Sequence, residues 1–592
     1  MLKAWAVWSA LLALWPSAQA VAVTPQSGLW IVAAENDGRP GRGLQLDVRG
    51  ADLVATVYAY TSTGEAQWYL ASGRYDGSDF SGTLQRYAGG TAFGGAPIAA
   101  MTAGSAGSLQ LHFDSATTGL VTLPGEPARA ISKVQFGALP TQAADFHGSL
   151  VLAAPTGSSI QATVLSTDQN GTLQLVYGTA PGLYPGRSAT VTLQAGAPVR
   201  LRLEGLAANT RYYYRYLYSG GPGAGIGPEG SFQTARPPGS SFTFTLQADS
   251  HLDENADLDQ YRQTLANILA DGADFHLDLG DTFMCEKHSA PLTAVLQRAP
   301  DQATVDARYG YEHANFARFA GNVPLLLVNG NHEGEAGWLN SGNGNNIAIW
   351  STRARQRYYA NPVPDGFYSG DSVNEADVGQ RAAWYAWQWG DALFVVLDPY
   401  WHSARSANSD GWNLTLGERQ YRWLEQTLAG SSARFKFVFL HNLVGGLDGQ
   451  MRGGIEAAPY YEWGGRNADG SDGFAAHRPG WARPIHALLL QYGVSAVLHG
   501  HDHLYARQML DGIVYLEVPQ PSARNFQSGA SLAEDYHYTS GTILSSSGHV
   551  RIRVTPSAVT GEYVRAWLPR NENATRRNGQ VDDRWTLSAP GN

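Results

Sequence analysis

Aspartate, histidine and asparagine recur in five short clusters between residues 249 and 503. They are Asp249-Ser250-His251, Gly280-Asp281, Gly330-Asn331-His332-Glu333, His441 and Gly500-His501-Asp502-His503. Carboxylates, imidazoles and an amide form a hard-to-borderline N/O donor set suited to divalent transition metals. A His-x-His pair straddling a strand end can reach two adjacent ions. Each cluster alone has an ordinary reading, as a hydrogen-bonded strand-end histidine or a Gly-Asp turn. Five in succession, each following a strand-like segment, point to a metal site. One cysteine, Cys285, stands against sixteen histidines. That excludes an intrachain disulfide and any Cys-rich zinc or iron–sulfur site.

The elements that must position these clusters follow from hydrophobic periodicity. Residues 242–248, 274–279, 324–328, 392–397, 435–440, 494–498 and 513–518 read as strands, and 550–554 as a strand pairing with 561–564. Residues 258–269 carry apolar side chains at helical spacing. Thr415-Leu416-Gly417-Glu418 reads as a capping box for a helix burying Tyr421, Leu424 and Leu428. This texture predicts an α/β domain over residues 241–570 with the clusters at C-terminal strand ends, where open sheets bind ligands. Residues 571–592 read as a polar tail. Two all-β domains precede it. Residues 21–141 alternate over short runs separated by Gly and Asp turns, and residues 142–237 have strand spacing suited to a sandwich. Arg236-Pro237-Pro238-Gly239-Ser240 reads as the linker that closes the second. The Trp and Tyr of 21–141 suit either packing, their more frequent use, or contact with a polymer or cell surface.

In combination, the five clusters resemble those of the calcineurin-like metallophosphoesterases, over about residues 241–567. The stretch 500–507, the stretch 417–425 ahead of His441, and a preceding β domain resemble the purple acid phosphatase branch. That β domain itself resembles a fibronectin type III domain, in which a Leu and a Tyr anchor a corner; here these are Leu206 and a Tyr within 212–214. The resemblance implies a four-layer α/β/β/α sandwich and two metal ions per chain, divalent or trivalent (Fe, Mn, Zn or similar). Asp249, His251, Asp281 and His503 would hold one, and Asp281, Asn331, His441 and His501 the other. His332 would face substrate as general acid or charge stabiliser. A metal-bridging hydroxide would then attack phosphorus in line.

The chain departs from that branch in two places. Met284 stands where the iron-binding Tyr would be, and His251 supplies a replacement ligand, so the enzyme is expected to lack the purple colour. After His441 comes Asn442-Leu443-Val444-Gly445-Gly446 and a Gly- and aromatic-rich segment, 450–480. Read as a lid, that segment offers Arg452, His477 and Arg478 to a phosphate, and Tyr460, Tyr461 and Trp463 to a leaving group; read otherwise it is an ordered surface excursion. His288 is read as a loop histidine, Cys285 as a small packed residue, and His112, His147 and His549 as structural.

With 43% hydrophobic and 16% charged residues the chain has the composition of a folded protein. Lys3, the apolar stretch 4–15 and Ala18-Gln19-Ala20 read as a cleaved secretory leader, predicting a secreted or periplasmic protein. Its formal net charge of −10, one unit more negative without the leader, argues against nucleic-acid binding. No other apolar run is long enough for stable membrane insertion. The expected activity is metal-dependent hydrolysis of small phosphomonoesters, acid phosphatase-like. Alternatives are a phosphodiesterase or nucleotide pyrophosphatase on the same site, or a surface-binding protein with a vestigial catalytic domain. Enzyme and surface binding could also coexist.

Overall fold

The computed structural model describes residues 23–35, 41–134, 139–253, 255–285, 301–404, 410–447, 451–524 and 528–589. The leader read at 1–20, His288 and the first residue of the 450–480 segment lie outside them. The chain forms two units, residues 1–138 and 139–592.

In the first unit, eight consecutive antiparallel strands from Gly28–Val32 to Arg129–Lys133 close into a barrel, the first pairing with the last through Trp30 and Lys133. Strict alternation drives this. Leu53, Ala55 and Val57 on the Asp52–Tyr60 strand point inward, and their neighbours point out. Trp30 fills the interior with Phe80, Leu109 and Phe113. Closure leaves no unpaired sheet edge.

The second unit opens with a β-sandwich. One face is the strands Gly148–Ala153, Ile160–Ser166 and Pro198–Leu203; the other centres on Gly171–Gly178 and Arg211–Ser219. Leu206 is buried between them, and the Tyr212 hydroxyl accepts the Ala207 N–H at 2.8 Å, forming the expected corner. The sandwich and the α/β region are not independent. The Gly148–Ala153 strand pairs in parallel with Leu325–Leu327, so one nine-stranded sheet runs through both. Tyr214 and Ser149 reinforce the junction, the first donating to the Gly321 carbonyl (2.7 Å) and the second bonding His313 Nδ1 (2.6 Å).

Two sheets stack face to face in the α/β region. Phe242–Gln247, Phe275–Asp278 and Leu325–Leu327 are parallel neighbours in the nine-stranded sheet. Ala392–Val396, Phe435–Phe439, Ala496–His499 and Ile513–Glu517 are parallel neighbours in the other, which has eight strands. Aromatics fill the space between: Phe244 meets Phe394 edge-on at 5.1 Å, and Trp387 stacks on Phe394 at 4.8 Å. The helices Leu258–Ala270, Gln302–Ala320 and Ile347–Tyr358 cover the outer face of the first sheet. Glu418–Ala429 and Ile485–Gln491 cover the second. This is the four-layer α/β/β/α arrangement.

Two local readings are corrected. Gly417, not Thr415, is the N-cap of Glu418–Ala429, and it makes no side-chain cap. The Thr415 hydroxyl is taken instead by the buried carboxylate of Glu462, at 2.6 Å. Within the supposed polar tail, Val581–Ser588 is the last strand of the nine-stranded sheet. Its polar residues hid an alternation in which Trp585 points into the core over Gly561, whose lack of a Cβ makes room for the indole. Asp583 accepts from Arg507 Nε at 2.6 Å and from the Tyr505 hydroxyl at 2.7 Å. Trp585→Ala is therefore expected to cost about 3 kcal/mol in chemical denaturation, where a free tail would give less than about 0.5 kcal/mol.

Candidate metal centre

All five clusters meet where the C-terminal ends of the two sheets face each other. Asp249, Asp281 and Asn331 follow three adjacent strands of the nine-stranded sheet; His441 and His501 follow two of the other. The loops bend sharply. Asp249, His251, Asp281, Met284, His501 and His503 all have positive φ, between 48° and 88°, each at a cost of about 1–2 kcal/mol for a side-chain-bearing residue.

Hydrogen bonds hold that geometry. The Asp249 N–H donates to the Gly280 carbonyl (2.9 Å), His251 N–H to the Asp281 carbonyl (3.0 Å), and His501 N–H to Asp249 Oδ2 (2.8 Å). Glu333 is the hub: its carboxylate accepts the N–H of Asp281 (2.9 Å), Thr282 (2.6 Å) and Gly330. Gly280, with φ 98°, presses so closely on Gly330 that a Cβ would collide with its backbone.

The donor atoms form two sets, Asp249/His251/His503 and Asp281/His441/His501, each with its atoms within 4.8 Å of one another. Asp281 Oδ2 lies 3.1 Å from His441 Nε2 and 3.8 Å from His251 Nε2, so one carboxylate oxygen faces both sets. His251 Nε2 and His503 Nε2 are only 2.8 Å apart, two ring nitrogens converging on one point. His441 Nδ1–H donates to the Leu279 carbonyl at 3.0 Å, which turns Nε2 inward toward Asp281. Asn331 Oδ1 and Asp249 Oδ1 are buried without a hydrogen-bond partner. Orphaned oxygens and converging imidazole nitrogens in a buried pocket fit metal ions.

Electrostatics agree with that fit. Burial by itself would raise the Asp281 carboxyl, but the charges of His441 and His332 outweigh it and hold the group well below the usual range. Asp249 is lowered in the same way, burial being overcome chiefly by His441. Burial, then the His251 charge, pushes His503 down to about 3. Burial, then Arg452, pushes His501 well down. Ionised carboxylates and the neutral His501 and His503 are ligating forms; His441, lowered by burial but raised to about 10 by Asp281 and Asp249, would give up its proton to an ion bound there.

The remaining predicted residues are placed as follows. His332 sits at the rim with about a fifth of its side chain exposed. Its backbone N–H donates to Asp281 Oδ1 at 2.9 Å, and its ring lies 5.6 Å from that of His251. The Met284 sulfur faces His251 Nδ1 at 2.9 Å. Cys285 is buried in the apolar cluster that also contains Phe283 and Tyr309. The 451–480 segment is packed rather than open. Arg452 Nε donates to Asp502 (2.5 Å) and its Nη2 to the His501 carbonyl (2.7 Å), with the guanidinium over the Tyr536 ring. Trp463 is fully buried and donates to the Tyr515 hydroxyl. Arg478 donates to Glu462 and to the Trp412 carbonyl, and Tyr461 is buried against Trp412. A phosphate or leaving group would have to displace these internal partners to reach those four side chains. His477, stacked on Trp412 at 4.4 Å, keeps one exposed face, and Tyr460 is half-buried. His549 and His147 pair with Asp271 and Asp168, and His112 with Asp79.

The supporting carboxylates were not among the residues expected to form the site. Glu335 is fully buried between Arg355 (Nε at 2.5 Å) and Arg381 (2.9 Å), and Arg381 continues to Asp398 at 2.8 Å. Asp502, inside the His-x-His cluster, binds Arg452 and the Tyr538 hydroxyl (2.7 Å). The position of Asp502 between two predicted ligands was the available signal.

Glu333→Ala strands several buried N–H donors and is expected to destabilise by roughly 3 kcal/mol and to lower metal content per chain. Urea unfolding and elemental analysis check this. For Glu335, burial would raise the carboxyl, but Arg355 and Arg381 hold it at about 2. Its stabilisation, about 3 kcal/mol by linkage, is present above the ordinary glutamate pKa and is lost as pH falls toward 2. Glu335→Gln should flatten that part of the stability–pH curve while lowering stability at neutral pH, where it leaves the arginine charges undercompensated.

Residues 242–505 match the family described as calcineurin-like phosphoesterase. No curated protein matches the chain. Among solved structures it is similar in fold to PhoD, at 15% identity over 77% of this chain and 91% of that one, TM-score 0.54. Purple acid phosphatase PPD1 from yellow lupin (Lupinus luteus) seeds is 15% identical over 91% of this chain and 93% of its own, TM-score 0.47.

Proposed function

Residues 242–505 belong to the calcineurin-like phosphoesterase family, and on that premise we propose that this phosphoesterase is an exported, metal-dependent phosphomonoesterase. The observation that carries the reading is the meeting of the two donor sets at Asp281. Export rests on the leader pattern of residues 1–20.

Asp249, His251, Asp281 and His503 would hold one ion, and Asp281, Asn331, His441 and His501 the other. When bound, such a pair polarises phosphoryl oxygens and acidifies water. The chain's own residues supply the rest. Asp281, buried and ionised, would offset repulsion between two such cations. The neutral His501 and His503, with the Asn331 amide, add no negative charge, so an anionic phosphate is attracted. His332 is the rim histidine whose backbone is fixed to Asp281, so its imidazole is held at a set distance from the centre while reaching solvent and substrate. From there it can give a proton to the leaving oxygen.

With p-nitrophenyl phosphate and its bis ester as substrates, the metal-replete protein should turn over the monoester faster. His332→Ala should lower kcat by about 10²–10⁴-fold with metal content unchanged, whereas Asn331→Ala should lower both. If neither ester is hydrolysed with any divalent ion tested, the reading is wrong. Faster turnover of the bis ester would reassign the substrate class.

A further inference from the structure

The barrel of the first unit sorts its aromatics in a way that packing does not require. Trp30 is fully buried, whereas Tyr58, Tyr60 and Trp68 expose 47%, 48% and 45% of their surface. Tyr58 and Tyr60 lie on the outer wall because Leu53, Ala55 and Val57 claim the inner positions of the same strand, and Trp68 on the next strand shares that wall as the cross-strand partner of Tyr58. Tyr58 pairs across the ladder with Trp68, and Trp68 stacks on Tyr87 of the next strand, with centroids 5.5 Å apart and planes 16° from parallel. Rings thus step across three neighbouring strands, exposed on the first two and half-buried at Tyr87 on the third, at the inter-strand spacing of about 4.8 Å. Beside them is a cavity of about 160 Å³, of the order of one hexopyranose ring, lined by Tyr58, Tyr60, Trp68, Gln67 and three small residues.

The chemistry of this wall selects its occupant. Among the described residues no charged side chain lines the cavity, and Arg86, next to Tyr87, directs its guanidinium to the Ala103 carbonyl. From these residues a phosphate, an acidic glycan or a nucleic acid would find no counter-charge. The lining is nevertheless not purely apolar, since two phenol groups, an indole and an amide border it. Flat aromatic faces rimmed by hydrogen-bonding groups match sugar rings, which present apolar C–H faces edged with hydroxyls. Tyr and Trp also lose little side-chain entropy on being held. A row of rings, rather than one, suits a chain of sugars.

We propose that the outer wall of the barrel binds an uncharged polysaccharide, with Trp68, Tyr58 and Tyr60 stacking on sugar rings. This goes beyond the phosphoesterase reading and does not rest on it. The test uses the full-length purified protein, its Trp68→Ala variant and its Tyr58→Ala/Tyr60→Ala/Trp68→Ala variant. Each is measured for adsorption to insoluble cellulose and chitin and for retardation in gels containing hydroxyethylcellulose or mixed-linkage glucan. At least one of these should bind the parent protein. Trp68→Ala should weaken that binding about tenfold or more, and the triple variant should abolish it. Melting temperature, metal content and p-nitrophenyl phosphate turnover should be unchanged in both. Failure of the parent protein to bind any of the four, or equal binding by the triple variant, overturns the proposal. So does co-sedimentation with phosphatidylcholine vesicles in place of glycan binding; the exposed Phe93, Ile98 and Met101 nearby in sequence give that arm its purpose.

Discussion

Asp281 has to face two sets of imidazoles at once, and much of the second unit answers to that requirement. A single carboxylate oxygen within 3.1 Å of His441 and 3.8 Å of His251 can exist only if strands from two different sheets end at the same point. Face-to-face stacking of the sheets around the Phe244–Phe394 contact provides that convergence. The side chain must also leave its strand through a left-handed backbone. That cost is local, and the compensation is local too: Glu333 binds the Asp281 and Thr282 N–H groups, and Asp281 itself binds the His332 N–H. Asp281, its brace and the rim histidine are therefore one mechanical piece.

Buried charge surrounds this piece. Glu335, Arg355, Arg381 and Asp398 form a continuous chain from the loop after His332 to the end of the Ala392–Val396 strand. Asp502 and Arg452 do the same for the loop carrying His501 and His503. Such pairs add little net stability compared with apolar side chains of equal volume, because desolvation offsets much of the attraction. What they contribute is direction. Losing one partner leaves a charge in a dry interior, so each loop has one arrangement far below its alternatives. For ligands that must converge within a few ångströms, that selectivity matters more than the stability of the loops alone.

Most of the fold and the donor set were legible because both depend on short-range pattern. The strands ending at Gln247, Asp278 and Phe439 are apolar runs followed at once by Asp, Gly-Asp or His, and each reads without knowledge of its neighbours. The rest depends on long-range partners. Nothing local marks Glu335 as the acceptor for Arg355 and Arg381, or Arg452 as a brace rather than a phosphate ligand: an arginine in a Gly-rich segment looks the same in either role. Thr415 misled for the same reason, its hydroxyl being taken by Glu462 across 47 residues. The last strand was hidden because Val581–Ser588 has only three apolar residues, Val581, Trp585 and Leu587, to mark it against acidic and basic neighbours, and Gly561, the space into which Trp585 fits, is far away in the pattern of another strand.

The barrel shows the same limit in a simpler form. Trp30 and Trp68 each sit in an alternating β run, with a tyrosine or leucine beside them, and composition gives both the same prior for burial. What separates them is parity within the strand. One position in a closed barrel points to the interior and the next to the outer wall, so a one-residue change of register exchanges core for surface. Register is fixed by the ladder as a whole, through Leu44, Leu46, Leu53 and Val57 filling the inside. Once those are placed, Tyr58 and Tyr60 have no inward position left. The exposed aromatics are thus a consequence of how the interior is filled, and a polar side chain at 58, 60 or 68 would have satisfied the barrel equally well. Their identity needs a reason outside the fold.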